Sequence, residues 1–282
     1  MKQQSLKSVL YDSIWYLLVL LAVAITIVPV IWVVVSSFRP NAAIFAHTVP
    51  VSLGTFSPTP FTLEPYQEIF GKGFGRALFN TIFITACVVG GGIVVNSMAG
   101  LVYAKMDFPF KPVLFLLTLV TFMVPFRAIA LPLFTIVRGL GWDNSYQALI
   151  VPALSNGVVI LLFRQFFMGI PDDFIYAAKI DGGSWFTVYF RLFLPMSVAS
   201  MIGGGMILFL DIWLAFLWPL IINPAQQFEV VQVSIARFAT EHALIWNQQF
   251  AGTVITMLIP VFFLMILQRY FISGVTGGGI KE

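Results

Sequence analysis

Four stretches of this chain contain no charged residue: 14–38, 77–104, 144–163 and 243–268. Two more carry a single charge each, Arg127 within 112–137 and Asp211 within 192–228. A helix needs about 20 predominantly apolar residues to cross the hydrocarbon core of a bilayer, and every one of these runs is long enough. None alternates apolar and polar residues with period two, which excludes a membrane-spanning barrel. The expected fold is an all-α polytopic membrane protein, one membrane domain over residues 1–282. Its six transmembrane helices are expected at about 14–38, 77–104, 112–137, 144–164, 195–222 and 248–270.

Composition agrees that the solvent is lipid. Only 10% of the residues are charged and 59% are hydrophobic, against about 25% charged in a typical soluble domain. The net charge of +3 is small and the basic residues are scattered between apolar runs, so no nucleic-acid partner is expected. Cys87 is the single cysteine, which leaves no disulfide within the chain. The first apolar run is too long for a secretory signal and lacks a small-residue cleavage site, so it reads as a retained anchor. Six crossings put both termini on one side. With the N-terminus inside, nine of the fifteen Lys and Arg residues fall on the inner side, which predicts cytoplasmic termini.

No G-x-x-x-x-G-K-[ST] loop occurs, so no nucleotide phosphate is expected to be cradled here. The glycine-rich GKGFGR, residues 71–76, reads as a turn. It closes a proline-dotted segment, 39–76, that reads as irregular surface chain ending in a short helix. His47 and His242 stand apart, without the spacing of a metal site or a triad. No catalytic residue and no metal site are expected.

One polar segment interrupts the apolar pattern. Residues 169–195, GIPDDFIYAAKIDGGSWFTVYFRLFLP, parse as helix, break and helix between the fourth and fifth crossings. Pro171 suits the first helical position, and Asp172 and Asp173 complement the positive helix end. Phe174, Ala177 and Ala178 are expected on one face. Gly182 and Gly183 stop the helix, Gly182 in a left-handed conformation and Gly183 expected to tolerate alanine. Ser184 can cap the next helix, and Pro195 is expected to open the fifth crossing. From the residues alone, the short helix either rests on lipid headgroups or docks to a partner.

The spacing resembles the loop that identifies permease subunits of ABC importers, E-A-A-x-x-x-G-x(9)-I-x-L-P. Ala177, Ala178, Gly182, Leu194 and Pro195 match it, Leu192 stands for the isoleucine, and Asp181 gives the common I-D-G variant. Tyr176 replaces the glutamate. Residues 122–152, FMVPFRAIALPLFTIVRGLGWDNSYQALIVP, look like the third helix, loop and fourth helix of carbohydrate-importer permeases of the maltose type. The ending QRYFISGVTGGGIKE is similar to that family's glycine-rich terminus through Gly274, Thr276, Gly278 and Lys281.

The resemblance implies the second, six-helix permease of a binding-protein-dependent sugar importer. It implies that a helix over 172–182 couples to a separate ATPase, through Asp172, Asp173, Phe174, Tyr176, Ala177, Ala178, Asp181, Gly182 and Pro195. The implied partners are a second homologous permease, two copies of an ABC ATPase, an extracellular or periplasmic solute-binding protein, the sugar and membrane lipid. ATP and magnesium would be bound by the ATPase subunits, and no cofactor by this chain. The implied location is the cytoplasmic or inner membrane of a bacterium or archaeon. Within the family the alternative is an importer of a related solute such as a glycerol phosphate.

Four residues inside the apolar runs are candidates for the solute path. In continuous helices Arg127 would stand about 23 Å above Pro112, and Asp211 about 24 Å above Pro195, at a shared depth. Charges inside a membrane are functional suspects. The structural alternative is an ion pair between them or an arginine snorkelling to the interface, and a proton relay in a secondary transporter is a third reading. Trp213 lies where the family has W-N-[DE]-F-L and this chain has Trp213-Leu214-Ala215-Phe216-Leu217, and Trp218 follows directly. Their rings suit either stacking on a sugar or anchoring at the membrane interface. Gly203, Gly204 and Gly205 are expected to permit tight helix packing.

Overall fold

The computed structural model describes residues 6–46, 48, 50–239 and 245–277. His47 and His242, and with them Gly278 and Lys281 of the C-terminal motif, lie outside the described residues. Among the described residues there are helices and turns and no β-strand. In chain order the helices are α1 (Leu6–Ser36), α2 (Glu64–Gly71), α3 (Phe74–Lys105), α4 (Lys111–Met123), α5 (Phe126–Gly139), α6 (Tyr146–Ile150) and α7 (Gly157–Met168). They continue as α8 (Asp173–Ile180), α9 (Trp185–Val188), α10 (Leu194–Met196), α11 (Val198–Trp213), α12 (Leu217–Ile222), α13 (Val231–Arg237) and α14 (Trp246–Gly277).

Four helical runs are long and apolar enough to cross a membrane: Tyr11–Ser36, Phe74–Lys105, Tyr146–Met168 and Trp246–Gln268. Two bent pairs, α4 with α5 and α9–α10 with α11, raise the number to six if each pair is one span. The third and fifth expected crossings, 112–137 and 195–222, are therefore not straight helices. The heights reckoned for Arg127 and Asp211 along continuous helices do not apply.

The breaks follow from proline. The first pair bends by 105° at Val124 and Pro125, with Val124 extended at ψ 121. The residue before a proline is pushed out of the α region, so α4 must end there. The second pair bends by 83° at Ser197, which is fully buried and returns its hydroxyl to the Leu194 carbonyl at 2.8 Å. Pro195 does not begin a membrane helix. It follows a π-helical turn, Tyr189–Phe193, that widens the chain where the proline ring would meet the carbonyl four residues back. Pro219 likewise has no N–H to offer Ala215. The chain leaves the helix over residues 214–216 and restarts as α12, with Pro219 near its start, where a missing N–H costs least.

The described residues group into two compact units. The first takes in Met1–Phe74 and Ile235–Leu258. Side chains of α1 from Tyr11 to Ile31 are exposed all round. After α1 the fully buried Arg39 donates to the Gly54 and Ser57 carbonyls, pinning the irregular segment that leads to α2. Phe38 stacks on Phe61 with ring centres 5.3 Å apart, and Trp32 packs against Phe250 at 5.3 Å. Gly73, at φ 92, makes the turn between α2 and α3.

The second unit takes in Gly75–Ser234 and Ile259–Glu282. Its core gathers Val88, Val159, Phe163, Phe167, Phe193 and Leu208, with Phe167 5.7 Å from Phe163 and 5.3 Å from Phe193. Lipid tails are as apolar as leucine, so close packing and buried polar bonds have to hold such helices together. Gly204 meets that need as expected. A Cβ there would stand 2.9 Å from Val159 Cγ1 on α7, closer than packed side chains tolerate.

Candidate functional site

The polar segment after α7 folds as helix, break and helix. Pro171 precedes α8, and Asp172 is its N-cap residue but makes no side-chain bond to the helix's own amides. Its carboxylate instead accepts from Lys105 Nζ, at the end of α3, at 2.6 Å. The same ammonium donates to the Ile170 carbonyl at 2.6 Å. The Lys105 side chain is 7% exposed and that of Asp172 57%. A buried cation on α3 thus fixes where α8 begins.

The end of α8 is a two-glycine cap. Gly182 has φ +77, as expected, and its N–H donates to Lys179 O at 3.0 Å while Gly183 N–H donates to Ala178 O at 2.8 Å. These paired bonds satisfy carbonyls that a helix end leaves open. A Cβ at Gly182 would meet nothing within 4 Å, but one at Gly183 would stand 2.7 Å from Ala178 O. The tolerance expected of Gly183 is therefore overturned. Ser184 caps α9 by accepting from Thr187 N–H, and Lys179 Nζ sits 4.7 Å over the Trp185 ring. Tyr189 is tied to α3 a second time, its hydroxyl 2.7 Å from that of Ser97.

Burial splits the face expected to hold Phe174, Ala177 and Ala178 together. Ile175 is buried and Ala178 packs beside it on the core, whereas Asp173, Phe174, Tyr176, Ala177, Ile180, Asp181 and Gly182 are exposed. Tyr176 is 60% and Ile180 86% exposed. Ile180, the first residue of the I-D-G variant, is the most exposed large apolar side chain of α8.

The four intramembrane candidates are not brought together. No ion pair joins Arg127 to Asp211 among the described residues. Arg127 is exposed on α5. Asp211 Oδ2 accepts from Asn156 Nδ2 at 2.9 Å. Trp213 is buried and stacks on Phe209 at 5.4 Å, which stacks in turn on Phe263 at 5.0 Å. The three rings border an apolar cavity of about 450 Å³ between α3, α11 and α14. Trp218 is buried, its indole N–H donating to the Ala148 carbonyl at 2.9 Å. No cluster of three or more His, Cys, Asp or Glu side chains that could hold a metal occurs among the described residues.

Residues 92–277 match the family described as binding-protein-dependent transport system inner membrane component. The chain is 30% identical over 259 residues to the arabinooligosaccharides transport system permease protein AraQ of Halalkalibacterium halodurans, covering 91% of this chain and 92% of that one. It is 24% identical over 268 residues to the sn-glycerol-3-phosphate transport system permease protein UgpE of Rhizobium meliloti, covering 93% and 95%. Its fold is similar to a chain of a bacterial ABC transporter involved in the import of the acidic polysaccharide alginate. That likeness has a TM-score of 0.80 at 19% identity, over 96% of this chain and all of the other. A helical chain with up to six spans, an exposed capped helix between two of them and these relatives belongs to the family of binding-protein-dependent transport system inner membrane components.

Proposed function

We propose that this chain is one of two permease subunits of an ATP-driven importer of a sugar or oligosaccharide. In this reading residues 1–282 act as one permease domain, with both termini in the cytoplasm of a bacterium or archaeon. The observation that carries it is α8, a short helix that turns apolar side chains outward while both its ends are fixed. An exposed Tyr176 and Ile180 on a helix held by Lys105 at its start and by a glycine cap at its end suit a groove on a separate protein. That protein is a separate ATPase subunit, present in two copies, which binds ATP and magnesium. Phe174, Tyr176, Ala177, Asp181 and Gly182 face the groove, and Tyr176 contributes an apolar contact where the motif has a glutamate.

Asp172, Asp173 and Pro195 belong to the same coupling unit. Asp172 works through Lys105 and not by touching the ATPase. Displacing α8 pulls on α3 at Lys105 and at Ser97, and on α11 through the π-turn and Pro195. ATP can bias the gate only if α8 is held differently in the two ATPase states, and the fixed helix supplies that difference. An external solute-binding protein delivers the sugar, a class supported by the arabinooligosaccharide relative. The glycerol-phosphate relative supports a phosphorylated polyol as the second reading.

The test is ATP hydrolysis by the complete complex in proteoliposomes with loaded binding protein. Gly182→Val should leave the complex assembled and abolish the stimulated hydrolysis. Wild-type hydrolysis and uptake in that variant would mean that α8 rests on lipid headgroups and couples nothing.

A further inference from the structure

Asp211 is the one acidic residue between Asp181 and Glu229, and its setting is built from three helices. Asn96 of α3 is fully buried and spends both amide hydrogens on the Gly92 and Leu154 carbonyls, at 2.6 and 2.8 Å. Its oxygen accepts the Asn156 backbone N–H at 2.8 Å. Asn156 then caps α7 by accepting from Val158 and Val159 N–H, at 3.0 and 3.2 Å. What remains is its side-chain amide, which donates to Asp211. The carboxylate is thus placed by a chain of bonds that has no slack in it.

Three features say what the charge does. Asp211 stands in the last turn of α11, the negative end of the helix dipole, so it does not stabilise its own helix. Its partner is a neutral amide, and no Lys, Arg or His lies within ion-pair distance among the described residues, Arg127 included. It is exposed, beside the exposed Leu214 and Phe216. A carboxylate on a lipid-facing surface is strongly disfavoured, so this surface meets water, solute or the second permease.

We infer that Asp211 makes this part of the solute path selective by charge, accepting uncharged polyhydroxyl solutes and turning away anionic ones. Sugar hydroxyls donate to a carboxylate in short, charge-assisted bonds. A phosphate or uronate brought to the same place meets like charge. The inference rests on the permease reading and chooses within it: a neutral oligosaccharide over a glycerol phosphate or an acidic polysaccharide.

The experiment places a cysteine at Leu214, one turn from Asp211, in a Cys87→Ser background of the complete complex. Two methanethiosulfonate reagents of similar size report the local field: the cationic ethyltrimethylammonium and the anionic ethylsulfonate. Reaction rates are compared with and without Asp211→Asn, and the ratio reads the net field, Arg127 included. The cation-to-anion ratio should fall about ten-fold when Asp211 is neutralised. An unchanged ratio overturns the inference, and so does failure of both reagents to react, since the surface would then be covered by lipid or by the second permease. The measurement needs no ATP turnover, so it fails separately from the permease reading, which the hydrolysis assay tests.

Discussion

Lys105 Nζ holds the Asp172 carboxylate and the Ile170 carbonyl at the same distance, 2.6 Å, so the end of α3 grips the chain on both sides of Pro171. Lys105 and Asp172 are 67 residues apart in the chain. A helix that must be pushed by another protein is useful only if the push reaches the spans, and this is one of the places where it can.

Lys105→Met should therefore uncouple more than it destabilises. The Asp172 carboxylate is 57% exposed and water screens it, so the lost ion pair and hydrogen bond cost on the order of 1 kcal/mol. The complex should assemble normally while hydrolysis stimulated by loaded binding protein falls several-fold, and Lys105→Arg should recover part of it. Wild-type stimulation in Lys105→Met would remove α3 from the coupling route.

Of the two glycines, the second should be the less tolerant of alanine. Gly182→Ala carries only the strain of a positive φ, about 1 kcal/mol, with open space around the new Cβ. Gly183→Ala drives a Cβ to 2.7 Å from Ala178 O, the acceptor of its own N–H. Assayed side by side in proteoliposomes, Gly182→Ala should keep most of the stimulated hydrolysis and Gly183→Ala should lose most of it. The opposite ranking would mean that the cap opens in the working complex.

Charges placed on opposite sides of α8 should fail in different ways. Ile180→Asp puts a carboxylate on an exposed side chain, so the melting temperature should hold while capture of the ATPase subunit is lost. Ala178→Asp buries an unpaired carboxylate against the core and should lower the melting temperature as well. If Ile180→Asp captures the ATPase as well as wild type, the docking surface lies elsewhere.

Trp218→Phe tests whether that ring serves packing or solute. It deletes the donor to the Ala148 carbonyl, leaving a buried acceptor at a cost of about 1–3 kcal/mol, and keeps an aromatic face. The melting temperature of the purified complex should fall with the solute's half-saturation concentration unchanged. A changed half-saturation at unchanged stability would return Trp218 to the solute path.

Local properties could be read without coordinates. An uncharged run of the right length marks a candidate span, and the four uncharged runs correspond to four helical stretches long and apolar enough to cross a membrane. The stop at Gly182 was equally local, because a left-handed φ is open to glycine almost alone. Pro125 and Pro219 carried the signal for the two breaks they cause, and length and apolarity masked it. Long apolar runs look continuous whether or not the backbone inside them is.

What only the tertiary structure decided depends on which faces meet. Ala177 and Ala178 are the same residue type in the same motif, yet one faces out and the other packs on the core beside Ile175. Nothing local separates them, because the orientation of α8 is set by Lys105 on another helix. Asp211 belongs with Asn156, 55 residues away, and not with Arg127, because the bend at Pro125 and the break at Ser197 changed the heights that a straight helix would have given. Apolar periodicity tells a chain where lipid or protein lies. It does not say which of several buried polar groups will be the partner, since that choice is made by bends and packing distances between segments far apart in sequence.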